Sequence, residues 1–441
     1  MVKQKDILDL LENRIVPLQT AEAERVKQID TLLTGPVNQP AMRGHKDRER
    51  DELERLSHTS LLSLIVEYTA QQIFAEGISA TSGDVKHMWE PFDRNGFPSK
   101  QGALWTSTLR YGESFGLTLP GKTGSYLRSF SPLNFGAMWA DPVDDDFPIW
   151  AWRKIPQPGG TAHWRIYDDT FEHRISYEDG NYHYLDPLQH NMGVVPVVRF
   201  TAGADLEGAV RGEPRKFEMD ARRHDKTVND RLQIQHYNSW RVKTAEGLPE
   251  NATPEEREKF RLKLEHDDIL LGMGETKFST LDETSMASMV GAQEADRDLL
   301  AAVSQTPVWA FNGGSMVNLS ADALVEAKSG NRQKVWMIHR ELNRPLVTWA
   351  RLNARAEGRE EDAKRFDLAT DWADIGSQSM AAAADSLGKM AVQLGVPVEM
   401  LWELIPGVSH RQVQRWQEWK RDHPEGDLAL AEALTRQATV G

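Results

Sequence analysis

Residues 213–241 read EPRKFEMDARRHDKTVNDRLQIQHYNSWR, and this polar stretch decides how the rest of the chain is organised. Its apolar residues fall on one side of a helix, while charged and amide side chains fill the other sides. They are Phe217, Ala221, Val228, Leu232, Tyr237 and Trp240. At roughly 1.5 Å per residue, the stretch predicts a rod about 40 Å long. With so thin an apolar stripe, we expect this rod to be solvated or to pack side by side against copies of itself.

The sequence that follows predicts a charged loop and two more helices. Residues 242–284 carry eleven acids and six bases, with a short helix predicted near 254–264 and a strand pair near 269–281. A helix is predicted from about 284 to 305, and Pro307 prevents it from continuing. Residues 307–320 contain two adjacent glycines and are predicted to form a loop. Ser320 is a suitable N-cap for a long helix over 321–353, which Pro345 is expected to kink.

The flanking regions predict a mixed helical and antiparallel β structure. Helices are expected over 1–18, with Ile7, Leu8, Leu11, Ile15 and Leu18 on one face, and over 47–75, 89–111, 377–394, 398–404 and 410–421. The tail over 424–441 is compatible with a helix. Alternating patterns predict a hairpin over 114–119 and 125–130 and a meander over 149–154, 163–167, 170–177 and 182–185. Two further strands are predicted over 194–200 and 366–372. The fold class is therefore predicted to be α+β.

Composition narrows the possible functions. The chain has 441 residues, a formal net charge of -14 and no cysteine, so disulfides and thiolate chemistry are excluded. An acidic surface does not bind the phosphates of nucleic acid tightly, although it would let DNA move past without strong binding positions. It is also what ordinary solubility requires. We expect a soluble protein, because the apolar runs are too short to span a bilayer.

The most specific sequence motif has the pattern of a phosphate-binding loop. Residues 116–123 read GLTLPGKT, which fits two glycines five apart followed by Lys122 and Thr123. Such a loop needs a helix N-terminus after it, whereas Pro120 removes an N–H group and Gly124 follows where the helix would begin. The context favours a plain hairpin turn, with nucleotide binding as the alternative.

Two other groups have the composition of metal sites. His163, His173 and His183 are spaced ten apart in consecutive predicted strands, and Asp144, Asp145 and Asp146 form an acidic run. Neither group has a recognisable ligand spacing. We expect strand histidines without a metal and a solvated acidic loop.

In order along the chain, several segments resemble the portal proteins of tailed double-stranded DNA bacteriophages of the siphovirus type. They are LTGPVNQP at 33–40, YGES at 111–114, SP at 131–132, GVVP at 193–196, the helix from Gly212, SADALVEAK at 320–328, DW at 371–372 and residues 387–395. The ordered set covers nearly the whole chain.

The resemblance implies a portal-type α+β subunit. Its wing would be residues 1–212, its two stem helices 213–241 and 284–306, and its small α/β clip 242–283. The tunnel loop would be 307–320, the long kinked helix and a wing return strand 321–376, and a short helical crown 377–441. The resemblance places the tunnel loop that faces DNA at Asn312, Gly313, Gly314, Ser315, Met316, Val317 and Asn318. It places a docking surface on the clip at Glu255, Glu256, Glu258, Glu265, Asp267 and Asp268.

The resemblance also implies the function. Portal subunits form a ring, typically of twelve, at one capsid vertex, through which the terminase large subunit packages DNA that later leaves into the tail. The implied partners are further copies of the chain, terminase, head-to-tail connectors, capsid and scaffolding proteins, and the passing DNA, with no membrane. The implied location is the virion vertex, reached from the host cytoplasm during assembly. No catalytic residue, metal or cofactor is implied. The alternatives are a nucleotide-binding enzyme using residues 116–123 and a capsid or tail scaffold without a channel.

Overall fold

A computed structural model describes residues 4–35, 45–239, 243–246, 277–280, 285–312, 328–373, 380–408 and 410–423. The chain contacts divide it into two compact units. The larger unit comprises Met1–Thr34, Ser60–Glu218 and Ala301–Gly441, and the smaller unit comprises Gly35–Thr59 and Met219–Leu300. Within the described ranges, no helix combines the length and the apolar character needed to cross a membrane.

Helices account for most of the described chain. In order they are α1 Gln4–Leu10, α2 Val16–Thr34, α3 His45–Ser57, α4 Leu61–Ala70, α5 Glu90–Arg94, α6 Phe97–Tyr111, α7 Glu213–Lys216, α8 Glu218–Ser239, α9 Ala287–Ser304, α10 Val308–Asn312, α11 Ser329–Ala356, α12 Glu360–Ala363, α13 Met380–Leu394, α14 Val398–Leu401 and α15 His410–Asp422. A π-helical turn, Leu11–Ile15, joins α1 to α2. Short 3-10 helices span Lys86–Met88, Pro158–Gly160 and Trp402–Leu404.

The strands form small antiparallel sheets. They are β1 Ala75–Ala80, β2 Glu113–Gly121, β3 Gly124–Phe130, β4 Phe135–Met138, β5 Trp150–Pro156, β6 Ala162–Tyr167, β7 Phe171–Glu178, β8 Asn181–Tyr184, β9 Leu188–Gln189, β10 Val197–Thr201, β11 Lys243–Glu246, β12 Lys277–Thr280 and β13 Leu368–Trp372. The sheet orders are β1-β13, β10-β2-β3, β11-β12 and β4-β5-β6-β7-β8, with β9 beside β7. The predicted α+β class, hairpin and meander are confirmed, whereas β1, β4, β9 and β11 were missed.

The N-terminal helix is longer than predicted and its buried face is different. Ile7, Leu11 and Ile15 are fully buried, but Leu18 is 48% exposed. Pro17 cannot donate a backbone hydrogen bond, and the wider turn before it pairs the Val16 N–H with the Leu11 carbonyl. That extra residue rotates the face, so that Gln19 is buried in place of Leu18. Gln19 accepts a hydrogen bond from Trp152 Nε1 at 2.8 Å.

Two helices that were predicted as continuous are each broken. The predicted helix over 47–75 ends at Ser57 and resumes at Leu61, because Thr59 directs its backbone N–H to Asp225 Oδ1 at 3.1 Å. The predicted helix over 89–111 is divided by Gly96, whose φ of 67° lies in the left-handed region. The chain from 71 to 75 leads into β1 and is not helical.

The core of the larger unit is built around Trp349 of α11. Its ring is fully buried and meets Phe92, Phe97 and Phe200 edge to face at 5.3–5.5 Å between centroids. Trp349 Nε1 donates to Thr118 Oγ1 at 2.8 Å, so the indole nitrogen is satisfied. Helix α11 continues through Pro345. These contacts fix α11 against β2, β10, α5 and α6.

The C-terminal helices follow the predicted order. Helix α13 ends at Leu394, and Gly395 follows with a φ of 66°, as the sequence predicted. Trp402 and Trp416 meet edge to face at 6.0 Å, which joins α15 to the Trp402–Leu404 turn. The predicted helical tail over 424–441 lies outside the described residues.

Candidate functional site

The polar rod predicted over 213–241 is two helices. Phe217, with a φ of -113°, separates the short α7 from α8, which runs to Ser239. The second predicted rod is confirmed as α9, and it ends at Ser304. The positive φ of Gln305 then turns the chain before Pro307. Because the family resemblance implies that they form the stem, we refer to α8 and α9 as the stem helices.

Asp296 of α9 joins the stem helices. Its carboxylate accepts hydrogen bonds from Arg223 Nε at 2.8 Å and from Thr227 Oγ1 at 2.6 Å, both from α8. The apolar residues of α9 are only partly covered, because Val290 and Leu299 are 40% and 44% exposed while Leu300 is fully buried. Helix α9 therefore presents both a polar seam and uncovered apolar side chains.

A second polar cluster fixes α8 to the end of α3 within the smaller unit. Asp225 receives the backbone N–H and the hydroxyl of Thr59 at 3.1 and 2.9 Å, and His58 Nδ1 lies 3.0 Å from Asp225 Oδ2. Burial alone would raise the pKa of Asp225. Hydrogen bonds from His224, His58 and Thr59 outweigh it and hold the pKa well below its usual range. A charged, fully bonded carboxylate thus anchors the helix.

A buried ion pair lies where α7 meets α11 in the larger unit. Lys334 Nζ donates to Glu213 Oε2 at 2.7 Å and to the backbone carbonyl of Ser304 at 3.1 Å, while Lys216 Nζ donates to the other carboxylate oxygen at 3.0 Å. Burial would raise the pKa of Glu213, but the two lysines hold it below its ordinary value. Because Ser304 is the last residue of α9, Lys334 also places a positive charge at the C-terminus of that helix.

The predicted tunnel loop begins as a helix. Residues 308–312 form α10, so the prediction of a loop over 307–320 is wrong for these residues, and Asn312 is the last residue of that helix. One backbone turn and one tertiary contact explain this helix: the Pro307 carbonyl accepts a hydrogen bond from the Ala310 N–H, and Trp309 meets Tyr68 edge to face at 5.8 Å. Gly313, Gly314, Ser315, Met316, Val317 and Asn318 lie outside the described residues.

The predicted clip is described at its two ends. Strands β11 and β12 pair in antiparallel register, with Lys243 opposite Thr280 and Glu246 opposite Lys277. The sequence predicts a strand pair within 269–281. Residues 277–280 do form a strand, but their partner is residues 243–246, where the sequence predicts a loop. The docking residues Glu255, Glu256, Glu258, Glu265, Asp267 and Asp268 and the helix over 254–264 lie outside the described residues.

The phosphate-loop pattern is a hairpin, as its context predicted. Gly121 and Gly124 pair across the turn between β2 and β3, so no helix follows Lys122. A Cβ on Gly116 would lie 2.8 Å from the Trp349 ring, so this glycine makes room for the core tryptophan. Both glycines of the motif are therefore explained by packing and by the turn.

The three histidines do not converge. His163 and His183 both lie opposite Ser176, on either side of β7, and both are exposed. His173 is buried, with Nε2 3.0 Å from Asp168 Oδ2 and Nδ1 2.7 Å from the Tyr184 hydroxyl. In the part of the chain that the structure describes, no group of side chains is arranged to hold a metal ion.

Sequence comparison identifies the family. The profile described as "Phage portal protein, SPP1 Gp6-like" matches residues 13–425. The chain belongs to this phage portal protein family. It is therefore a head-to-tail connector of the portal type. A search of curated proteins found no match.

The solved structures that match this chain include chains of gene transfer agent particles. A chain of the "Neck of native GTA particle computed with C12 symmetry" is 13% identical, with a TM-score of 0.46, over 85% of this portal chain and 94% of that chain. A chain of the "Virion of native gene transfer agent (GTA) particle" is 12% identical, with a TM-score of 0.44, over 85% and 95%. The assignment to the portal family rests on the sequence match over 13–425.

Several important residues carried no signal in the sequence. Glu213 and Lys334 are more than a hundred positions apart, as are Thr59 and Asp225, and no spacing rule connects such residues. Asp296 is one acid among many in an acidic chain. These contacts were therefore visible only in the structure.

Proposed function

We propose that this portal chain forms a closed ring, of about twelve copies as is typical of the family, at one capsid vertex. Genomic double-stranded DNA is packaged through the ring by the terminase large subunit and is later ejected through it. The observation that carries the proposal is the family match over residues 13–425. The subunit acts in the virion after assembly in the host cytoplasm.

The stem helices support assembly into a ring. Val290 and Leu299 of α9 keep a large exposed fraction, and Met219 of α8 is 76% exposed. Apolar side chains on otherwise polar helices gain stability when a neighbouring copy covers them, at about 25 cal/mol for each Å² of apolar surface removed from water. A ring supplies such a neighbour to every copy.

The charge of the chain supports passage of DNA without tight binding. A formal net charge of -14 repels phosphates, so DNA meets few strong binding positions along its path. Asn312, Gly313, Gly314, Ser315, Met316, Val317 and Asn318 contain no basic residue. We assign these residues to the channel, where contact with DNA is steric.

The acidic segment over 242–283 is proposed as the docking surface for other assembly proteins. Glu255, Glu256, Glu258, Glu265, Asp267 and Asp268 would attract basic patches of terminase and later of the head-to-tail adaptors. Capsid and scaffolding proteins would contact the ring at the vertex. We propose no catalytic activity, metal or cofactor for the subunit itself.

Deletion of residues 313–316 separates assembly from transport. We expect the deleted protein to form rings of normal mass, because these residues lie outside the stem helices, and to package less DNA in an in vitro reaction with terminase and ATP. Replacement of Lys122 by Ala is the matched control, since Lys122 lies at an exposed hairpin turn, and it should leave both ring mass and packaging unchanged. Normal packaging by the deletion variant, or ATP binding by the purified wild type that Lys122→Ala abolishes, would contradict the proposal.

A further inference from the structure

A groove lies between the free edge of β3 and helix α6 in the larger unit. Its volume is about 490 Å³. Its apolar lining residues include Phe97, Leu104, Leu127 and Trp349, and the polar ones include Lys100, Ser107, Arg128 and Ser129. We call it the β3 groove.

One side of the β3 groove is a strand edge with unpaired backbone groups. Strand β3 is the outer strand of the β10-β2-β3 sheet. Asn95 covers the first part of its edge, because Asn95 Nδ2 donates to the Ser125 carbonyl at 3.0 Å and Asn95 Oδ1 accepts the Leu127 N–H at 3.2 Å. Alternate residues of a strand point their N–H and C=O groups to the same side. Ser129 therefore directs its backbone groups away from β2, and nothing within the described ranges pairs with them.

The same groove contains an unsatisfied side-chain oxygen. Ser107 Oγ on α6 is buried and has no hydrogen-bond partner in the described part of the chain. Buried polar atoms in folded proteins are almost always paired, with protein, water or a ligand. Ser107 therefore adds a polar residue to the wall opposite Ser129, with a hydroxyl that the described chain leaves unpaired.

The charge of the β3 groove is opposite to that of the whole chain. Lys100 and Arg128 line it, and among its described lining residues there is no Asp or Glu. Arg153 lies nearby on β5, and burial together with the positive charge of Arg128 lowers its pKa. In a chain with a net charge of -14, this cationic groove favours an acidic ligand.

We propose that the β3 groove binds an extended acidic segment of another protein, which adds a strand to the edge of β3 at Ser129. Main-chain hydrogen bonds to the strand edge would supply the affinity, and an apolar side chain of the segment would enter between Leu104 and Leu127. Carboxylates on the segment would pair with Lys100 and Arg128. The part of the β3 edge that Asn95 leaves free, residues 128–130, suits a short segment better than a subunit contact, which needs on the order of 1,000 Å².

Two pools of synthetic octapeptides test the proposal on the full-length protein. Both alternate Val, Ile or Leu with polar residues, which are Asp and Glu in one pool and Lys and Arg in the other. Peptides selected on the immobilised protein are then measured singly by fluorescence anisotropy. We expect peptides of the acidic pool to bind with a Kd below about 1 mM and peptides of the basic pool not to bind.

Variants of one position separate backbone pairing from side-chain effects. Ser129→Pro removes the N–H at the free edge, a place where proline is tolerated, and should weaken binding about tenfold or more. Ser129→Ala keeps that N–H and should bind as the wild type does.

The double variant Lys100→Glu, Arg128→Glu tests the charge preference and should reverse it between the two peptide pools. In the wild type, hydrogen exchange at the Ser129 amide should slow when peptide is added, which needs no variant to fold.

Three outcomes would overturn the proposal. They are no binding from the acidic pool, unchanged binding by a folded Ser129→Pro variant, and a Ser129 amide that is protected in the assembled ring but not in the monomer. The last would show that a second copy of the chain occupies the groove. None of them contradicts ring formation, so the proposed function can stand when this inference fails.

Discussion

His339 on α11 stacks against Trp372 with the rings 4.4 Å apart and only 6° from parallel. Burial lowers its pKa from 6.5 to about 4, and its Nε2 has no partner in the described part of the chain. Between pH 6.5 and about pH 4, His339 is therefore protonated more often in the unfolded chain than in the folded one. The free energy of unfolding should therefore fall by about 3 kcal/mol as the pH drops from about 6.5 to about 4.

Substitution of His339 tests this pH dependence. Urea unfolding of His339→Gln from pH 7 to pH 4 should show a flatter profile than the wild type. His423 is the matched control, since it stacks on Trp419 in the same way but is exposed, and His423→Gln should keep the wild-type slope. An unchanged slope in His339→Gln would mean that the buried imidazole is not responsible.

The Glu213–Lys334 pair predicts a large effect of a single truncation. Lys334→Ala leaves a carboxylate that is 7% exposed with Lys216 as its remaining cationic partner, so we expect the free energy of unfolding to fall by about 3–5 kcal/mol. Lys389→Ala is the control, because its ion pair with Asp385 is exposed on both sides, and it should change stability by no more than about 0.5 kcal/mol. Equal effects in thermal unfolding would contradict a buried role for Lys334.

At the scale of elements, Leu11 and Leu18 offer a direct comparison. Leu11 is fully buried against the meander and Leu18 is half exposed, although the helical pattern assigns them to one face. Leu11→Ala should lower the free energy of unfolding by about 2–5 kcal/mol, and Leu18→Ala by less than about 1 kcal/mol. If both variants lost the same stability, the π-helical turn at Leu11–Ile15 would not set the buried face.

Periodic patterns predicted the elements well where the element itself produces the pattern. The β2–β3 hairpin and the β5–β8 meander carry alternating patterns over much of their length, and a glycine with a positive φ follows α13, so local sequence was sufficient. The break between α3 and α4 depends on Asp225, which lies 166 residues from Thr59. Helix α10 was missed because the glycines that follow it suggested a loop. The helix break and helix α10 could not be predicted from local sequence, because tertiary contacts determine them.

At the scale of the molecule, α8 and most of α9 belong to the smaller unit together with residues 35–59 of the predicted wing, while the rest of the predicted wing and the predicted crown belong to the larger unit. The family resemblance predicted this sequence of parts, and the family match over residues 13–425 confirms that the chain is a portal protein. Ring order and lumen-facing residues follow from contacts between copies, which the sequence of one chain does not encode in any local pattern.

The mass and symmetry of the purified full-length protein test the central claim most directly. Light scattering and negative-stain imaging at moderate salt should show closed rings of about twelve subunits with a central opening, because the stem helices leave apolar side chains for neighbouring copies to cover. Assemblies without an axial opening, such as sheets or filaments, or a protein that remains monomeric even in the presence of its scaffolding protein, would contradict the account.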